Sequence, residues 1–183
     1  VAVRKTTVKP KPIKTIDIEV AIAKYYGVRK NIIVPNISWG FQWMHECDMF
    51  IVSKAGVATE IEIKISRADL LADFKKGHDH KDRAGRISYF YYAMPETLYE
   101  KCKDIIPLEA GILTCERGSW EGASAYMREK RKPLKRKNAR KLTPEEQLKI
   151  AWLGTMRIFS LKEKIIKLQN ERTDIQKQTK SAS

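Results

Sequence analysis

Hydrophobic and polar positions change period several times along the chain. Thr15 can cap a helix over residues 15–26, with Asp17 and Glu19 in its first turn and Gly27 as its stop. Ile16, Val20 and Ala23 give that helix a buried stripe, which Ile22 and Tyr26 extend. Residues 31–39 supply a first strand, followed by a turn around Gly40 and Gln42. Over residues 46–66 the period becomes two. Met49, Phe50, Ile51 and Val52 make one apolar arm, and the second arm sets Thr59, Ile61, Ile63 and Ile65 on one face and Glu60, Glu62, Lys64 and Ser66 on the other. Ser66 and Asp69 form a capping pattern for the next helix, which Gly77 ends. Aromatic-rich residues 87–93 read as a central strand, Pro95 at N1 opens a short helix to about Lys103, and residues 110–115 form a last strand. Strand, helix, strand in succession favours a parallel pair and a mixed sheet, so the expected class is α/β. Thr143-Pro144-Glu145-Glu146 then combines cap, N1 proline and N3 glutamate. The helix it starts can run to about Glu171, with Leu148, Ala151, Trp152, Met156, Phe159 and Ile166 along one side.

The turn between the two period-two arms decides where their charges meet. A three-residue loop of Lys54, Ala55 and Gly56, with glycine in the left-handed position, places Asp48 opposite Glu62. A loop one residue shorter or longer would set Asp48 against the isoleucines, burying an unpaired charge at a cost of several kcal/mol. The odd loop is the expected one.

Charge adds a partner to this picture. The 183-residue chain carries 36 basic and 22 acidic residues, a formal +14, which favours a polyanionic partner, nucleic acid (DNA or RNA) ahead of a membrane surface. Nine basic residues against the single acid Glu129 lie within residues 128–141, more than half of that excess. Lys130, Arg131, Lys132, Lys135, Arg136, Lys137, Arg140 and Lys141 are therefore the candidate nucleic-acid contacts, with a solvated linker as the plainer reading. The resulting organisation is a flexible basic arm at 1–14, a core domain at 15–127, a basic linker at 128–142, a helix at 143–172 and a polar tail at 173–183. The long helix offers a surface for a homodimer or a repair-protein partner. No apolar run approaches the roughly 20 residues of a membrane span, and the N-terminal stretch has no apolar signal core, so a cytoplasmic location is expected. The first residue is Val, as in a trimmed or processed chain. Cys47, Cys102 and Cys115 lack CxxC spacing and read as buried thiols.

The charged face of the second arm is where chemistry can sit. Asp48 and Glu62 can jointly hold a hard cation, Mg²⁺ or Mn²⁺, which takes oxygen ligands and keeps several waters. Lys64, about 7 Å along the strand from Glu62, can neutralise a phosphate or orient an attacking water. Glu60 and Glu46 are spare acids on that face. Glu-x-Lys alternation is also a common solvated strand face. Glu19 lies beside the helix stripe and either points into the same site or only favours the helix N-terminus. Trp39, Phe41 and Trp43, at period two, either stack on bases or pack a turn. His78 and His80 sit in a cationic loop, as a phosphate-facing segment or a His-x-His metal site.

Read in order, CDMFIV, IEIKISRADLLADFKKG, ISYFYYAMP and EAGILTC resemble the PD-(D/E)XK nuclease superfamily and, within it, the MmcB-type DNA-repair family. The similarity covers roughly residues 16–115, and the basic C-terminal helix loosely. It implies a restriction-endonuclease-like αβββαβ core and metal-dependent hydrolysis of DNA phosphodiester bonds in repair or recombination. By this resemblance Asp48 and Glu62 would be metal ligands, Lys64 the catalytic lysine and Glu19 the acid of the first helix. Cys47 stands where the superfamily's name has proline. The same fold also serves as a nucleic-acid-binding module without cleavage.

Overall fold

A computed structural model of the chain describes residues 11–37, 46–75, 85–118 and 122–181. Trp39, Phe41, Trp43, Gly77, His78 and His80 lie outside the described residues. In chain order the elements are α1 (Thr15–Tyr26), β1 (Asn31–Ile37), β2 (Cys47–Ser53), β3 (Ala58–Ile63), α2 (Arg67–Lys75), β4 (Ile87–Pro95), α3 (Glu96–Cys102), a 3-10 turn (Lys103–Ile105), β5 (Gly111–Arg117), β6 (Ala125–Arg131) and α4 (Pro144–Ser181). Through β4 this is the expected αβββαβ order. The six strands form one mixed sheet in sequence order: β3, β4 and β5 run parallel, and β1–β2, β2–β3 and β5–β6 are antiparallel.

The hairpin has the expected register. Met49 pairs with Ile61, Phe50 with Glu60 and Ile51 with Thr59, so one further step outward sets Asp48 against Glu62. Gly56 closes the turn at φ 77°, where an L side chain is strained. A second demand falls on the same residue, because a Cβ at Gly56 would lie 2.7 Å from the Leu142 carbonyl oxygen.

Helices cover both faces. On one, Ile18, Ala21 and Ile22 of α1 pack on Met49, Ile51, Ile61, Ile63, Ala93 and Leu113. The predicted stripe of this helix is therefore displaced: Ile16 and Val20 are exposed, and Ile18 and Ala21 are buried. The segment TIDIEVAIA offers apolar side chains at two helical phases, and the phase that meets the sheet wins. On the other face Ile150 of α4 joins Val34, Phe50, Val52 and Leu142, while Leu70, Tyr92, Met94, Leu98 and Ile112 form a separate cluster under α2 and α3. All three cysteines are buried free thiols, as expected.

Several further expectations need correction. The core does not end at residue 127, because β6 crosses that boundary and holds Arg128, Lys130 and Arg131 on an edge strand. Residues 132–142 are not a linker hanging in solvent. They run as a strap along one end of the sheet, with backbone bonds from Leu134 to Glu109, Arg136 to Ser88, Arg140 to Gly85 and Leu142 to Gly56. Helix α4 continues to Ser181, through the stretch read as a tail, and its predicted apolar side faces outward: Leu148, Trp152, Met156, Phe159 and Ile166 are all at least half exposed. The side that docks on β1 carries Ile150, Leu153 and Gly154, whose Cα has only Val34 above it. Pro95 closes β4 and caps α3 instead of entering it. At the opposite edge β1 contains Pro35, a residue that edge strands alone accept readily.

Candidate active site

Strand alternation sends Glu60 and Glu62 to the same face, in register with Phe90 and Tyr92 of β4, between the apolar cluster under α4 and the one under α2 and α3. Glu60 is fully buried; Glu62 and Lys64 are nearly so. Lys64 extends the parallel pairing by donating its backbone N–H to the Ala93 carbonyl, and the chain then turns into α2. The Ser66 hydroxyl accepts the Asp69 N–H at 3.1 Å, the cap that starts α2 immediately beyond the charged row.

Four charged groups meet there. Lys64 Nζ donates to Glu62 Oε2 at 3.0 Å and to Asp73 Oδ1 at 3.1 Å. The other Asp73 oxygen accepts the Tyr92 hydroxyl at 2.9 Å. Asp48 Oδ2 accepts the Ile63 backbone N–H at 2.7 Å, which fixes the carboxylate across the hairpin from Glu62. Neither Asp73 nor Tyr92 stands out in the sequence. Their only signal is spacing: Asp73 lies three residues after fully buried Leu70, on the face of α2 turned to the sheet.

Three carboxylates surround one ammonium in a dry setting, and the acidities follow. Burial, reinforced by the charge of Asp48 and opposed by Lys64, pushes Glu62 up to about 7. Burial also raises Asp48, against the Ile63 hydrogen bond and the Lys64 charge. For Lys64 burial alone would lower the ammonium, but Glu62 and Asp73 outweigh it and hold it above its ordinary value. The lysine is thus a permanent cation near neutral pH.

Glu19 joins from the side. Its carboxyl is raised by burial and by the Asp48 charge, and it accepts a bond from Asn36 Nδ2 at 3.4 Å. The start of α1 is served instead by Asp17, which accepts the Lys14 N–H at 2.9 Å and pairs with Arg117 at 2.8 Å. Asn36 adopts the left-handed region at φ 52°, and its carbonyl accepts a bond from Arg157 of α4. Glu46, the other spare acid, is exposed.

Apart from the protonated Lys64, the described side chains of this cluster offer oxygen atoms, and a divalent cation between two carboxylates whose ionisation is resisted would relieve their repulsion. The donor set therefore fits a hard ion such as Mg²⁺ or Mn²⁺ with Asp48 and Glu62 as its protein ligands. Among the described residues no three of His, Cys, Asp and Glu are grouped to hold an ion, so water and substrate oxygens would fill most of the shell.

The predicted nucleic-acid residues are split in use. Lys130 pairs with Glu96 at 2.7 Å. Arg131 donates to the carbonyls of Ala110, Ile106 and Pro107, Arg136 lies over the Phe90 ring, and Arg140 clasps Glu146. Lys132, Lys135, Lys137 and Lys141 are exposed. Leu142 at the end of the strap meets the turn at Gly56, six residues and about 20 Å of extended chain from Glu62, so that contact and the Asp48–Glu62 pair lie at opposite ends of β3.

No family model matches the chain, and neither does any curated protein. Among solved structures it is similar to SPO1766, a protein of unknown function from Silicibacter pomeroyi, at 17% identity and a TM-score of 0.57, over 88% of this chain and 96% of that one. At that identity the likeness speaks for the fold. Among the described residues no helix is long and apolar enough to cross a membrane.

Proposed function

We propose that the chain is a metal-dependent nuclease of the PD-(D/E)XK type that hydrolyses DNA phosphodiester bonds in repair or recombination. One observation carries the reading: Asp48 and Glu62 face each other across the hairpin, with the Lys64 ammonium 3.0 Å from Glu62 and buried beside it. A bound Mg²⁺ or Mn²⁺ supplies a Lewis acid for a phosphoryl oxygen and a water ionisable near neutral pH. Asp48 and Glu62 would be its ligands. Lys64 neutralises the negative charge that builds on the phosphate oxygens, a role that suits a cation whose own partners keep it protonated. Asp73 and Tyr92 orient that ammonium from behind, and Glu19 adds an acid at the rim of the cluster.

The test is incubation of supercoiled, linear, branched and single-stranded DNA with Mg²⁺ or Mn²⁺, comparing wild type with Asp48→Ala and Lys64→Ala. Cleavage by the wild type alone is expected, and equal cleavage by all three would refute the site.

A second reading, a nucleic-acid-binding module without turnover, is favoured by four exposed lysines of the strap, Lys132, Lys135, Lys137 and Lys141. Here salt discriminates. With six to ten phosphates contacted, affinity falls about 10³ to 10⁵-fold between 50 and 200 mM salt. On this reading the binding survives Asp48→Ala and no cleavage accompanies it.

A further inference from the structure

Helix α4 divides into a docked half and an exposed half. Between residues 158 and 176 every side chain is exposed, including Ile158, Leu161, Ile165, Leu168 and Ile175 at 52–63%. These five are not scattered. With Ile158 at heptad position a, Leu161 falls at d, Ile165 at a, Leu168 at d, Arg172 at a and Ile175 at d. Read backwards, the same frame puts Gly154 at d and Ala151 at a, and both are half-buried where α4 meets the body. A single stripe therefore lies against the molecule's own β1 in its first part and stands exposed in its second.

We propose that this second half forms a parallel, in-register, two-stranded coiled coil with a second copy of this chain. Two features choose the occupant. Ile at a with Leu at d is the side-chain combination that packs two parallel helices, and a partner lacking the same pattern leaves its knobs without matching holes. The single charged a residue supplies the rest. In a parallel pair in register, Arg172 of each helix lies beside the g-position Glu171 of the other, which gives two symmetric ion pairs at the end of the seam. A shift by one heptad, or an antiparallel arrangement, would drive each guanidinium into an aliphatic layer. Eighteen residues of seam, from 158 to 175, span about 27 Å, and an isolated helix of this composition is marginal in water without a partner. No residue of the acid cluster takes part, and nuclease activity is not required.

Sedimentation velocity of the full chain across micromolar concentrations tests it. The expected result is twice the 21.1 kDa chain mass, with loss of the dimer in the double variant Ile165→Asp/Leu168→Asp and in Arg172→Glu, while circular dichroism shows the body still folded. Orientation is read separately: Leu161→Cys should cross-link under mild oxidation, whereas the wild type, whose three cysteines are buried, should not. A monomer at every concentration, a dimer that survives the double aspartate change, or a Leu161→Cys chain that forms a dimer but does not cross-link would each overturn the proposal.

Discussion

Asp73 holds Lys64 from a helix that begins only after β3 has ended: its Oδ1 accepts the ammonium at 3.1 Å while its Oδ2 is held by the Tyr92 hydroxyl at 2.9 Å. The lysine is thus gripped from both sides, by Glu62 in front and Asp73 behind. Asp73→Asn keeps the shape and the tyrosine bond and removes one of the two charges that raise Lys64. Cleavage should fall by about 10 to 100-fold, in line with other outer-shell partners. The alkaline limb of the pH–rate profile should move to lower pH, because the ammonium loses support. An unchanged limb would reduce Asp73 to packing.

Glu62 makes the cation-free protein sensitive to alkali. Its pKa in the fold is pushed up to about 7 from an ordinary value near 4.5, so its contribution to stability is complete below about pH 4.5 and is lost as pH rises through 7. In the presence of a chelator, melting temperature should therefore decline across that window. Glu62→Gln should flatten the decline. Added Mg²⁺ should raise the melting temperature of wild type above pH 7 and leave it unchanged near pH 4.5, with no effect at either pH on Asp48→Asn. Identical calorimetric profiles for wild type and Glu62→Gln would remove the burial and repulsion assigned to this carboxyl.

Glu146 has the opposite sign. Arg140 foremost, with the Thr143 N–H and Arg86, holds its carboxyl down to about 2. The stabilisation is present above about pH 4.5 and disappears as pH falls through 2. Glu146→Gln should lower the urea midpoint at pH 7, and the difference from wild type should shrink toward zero as pH approaches 2. A constant offset at all pH values would show that the side chain acts through something other than its charge.

Substitutions in the strap and in β6 should separate binding from folding. Changing Lys132, Lys135, Lys137 and Lys141 to Gln should leave the melting temperature nearly unchanged and reduce the salt slope of DNA binding by about one for each phosphate no longer neutralised. Arg131→Gln removes a guanidinium that three carbonyls share, and should destabilise the fold by about 1–3 kcal/mol in denaturant titration. If both sets changed only affinity, the division of labour drawn from the hydrogen bonds would be wrong.

The hairpin was readable because two local signals agreed. A glycine at the left-handed turn position and an unbroken alternation of Thr59, Ile61 and Ile63 with Glu60 and Glu62 allow one register, and the pairing of Met49 with Ile61 follows from it. Ser66 capping was local for the same reason. The misread elements needed information from across the chain. Helix α1 has apolar residues at two phases, and only the sheet selects between them. In β6 the sequence AYMREKR looks like the head of a charge run, since its outward residues are polar and its neighbour β5 lies several residues back. Asp73 carries no local signal because its partners come from elsewhere in the chain, Lys64 just past β3 and Tyr92 in β4. The outward stripe of α4 followed the correct period with the wrong residues toward the body, since Gly154 leaves the space into which Val34 fits.

The two borders of the sheet limit how this protein can assemble. Pro35 interrupts the donor row on β1, and β6 lines the other border with Arg128, Lys130 and Arg131. Neither edge offers a foreign strand an unbroken, uncharged ladder. Growth by edge-to-edge addition is disfavoured at both ends, so association is left to helical surfaces, where a two-fold contact uses up its own interface and stops at a closed pair instead of a fibril.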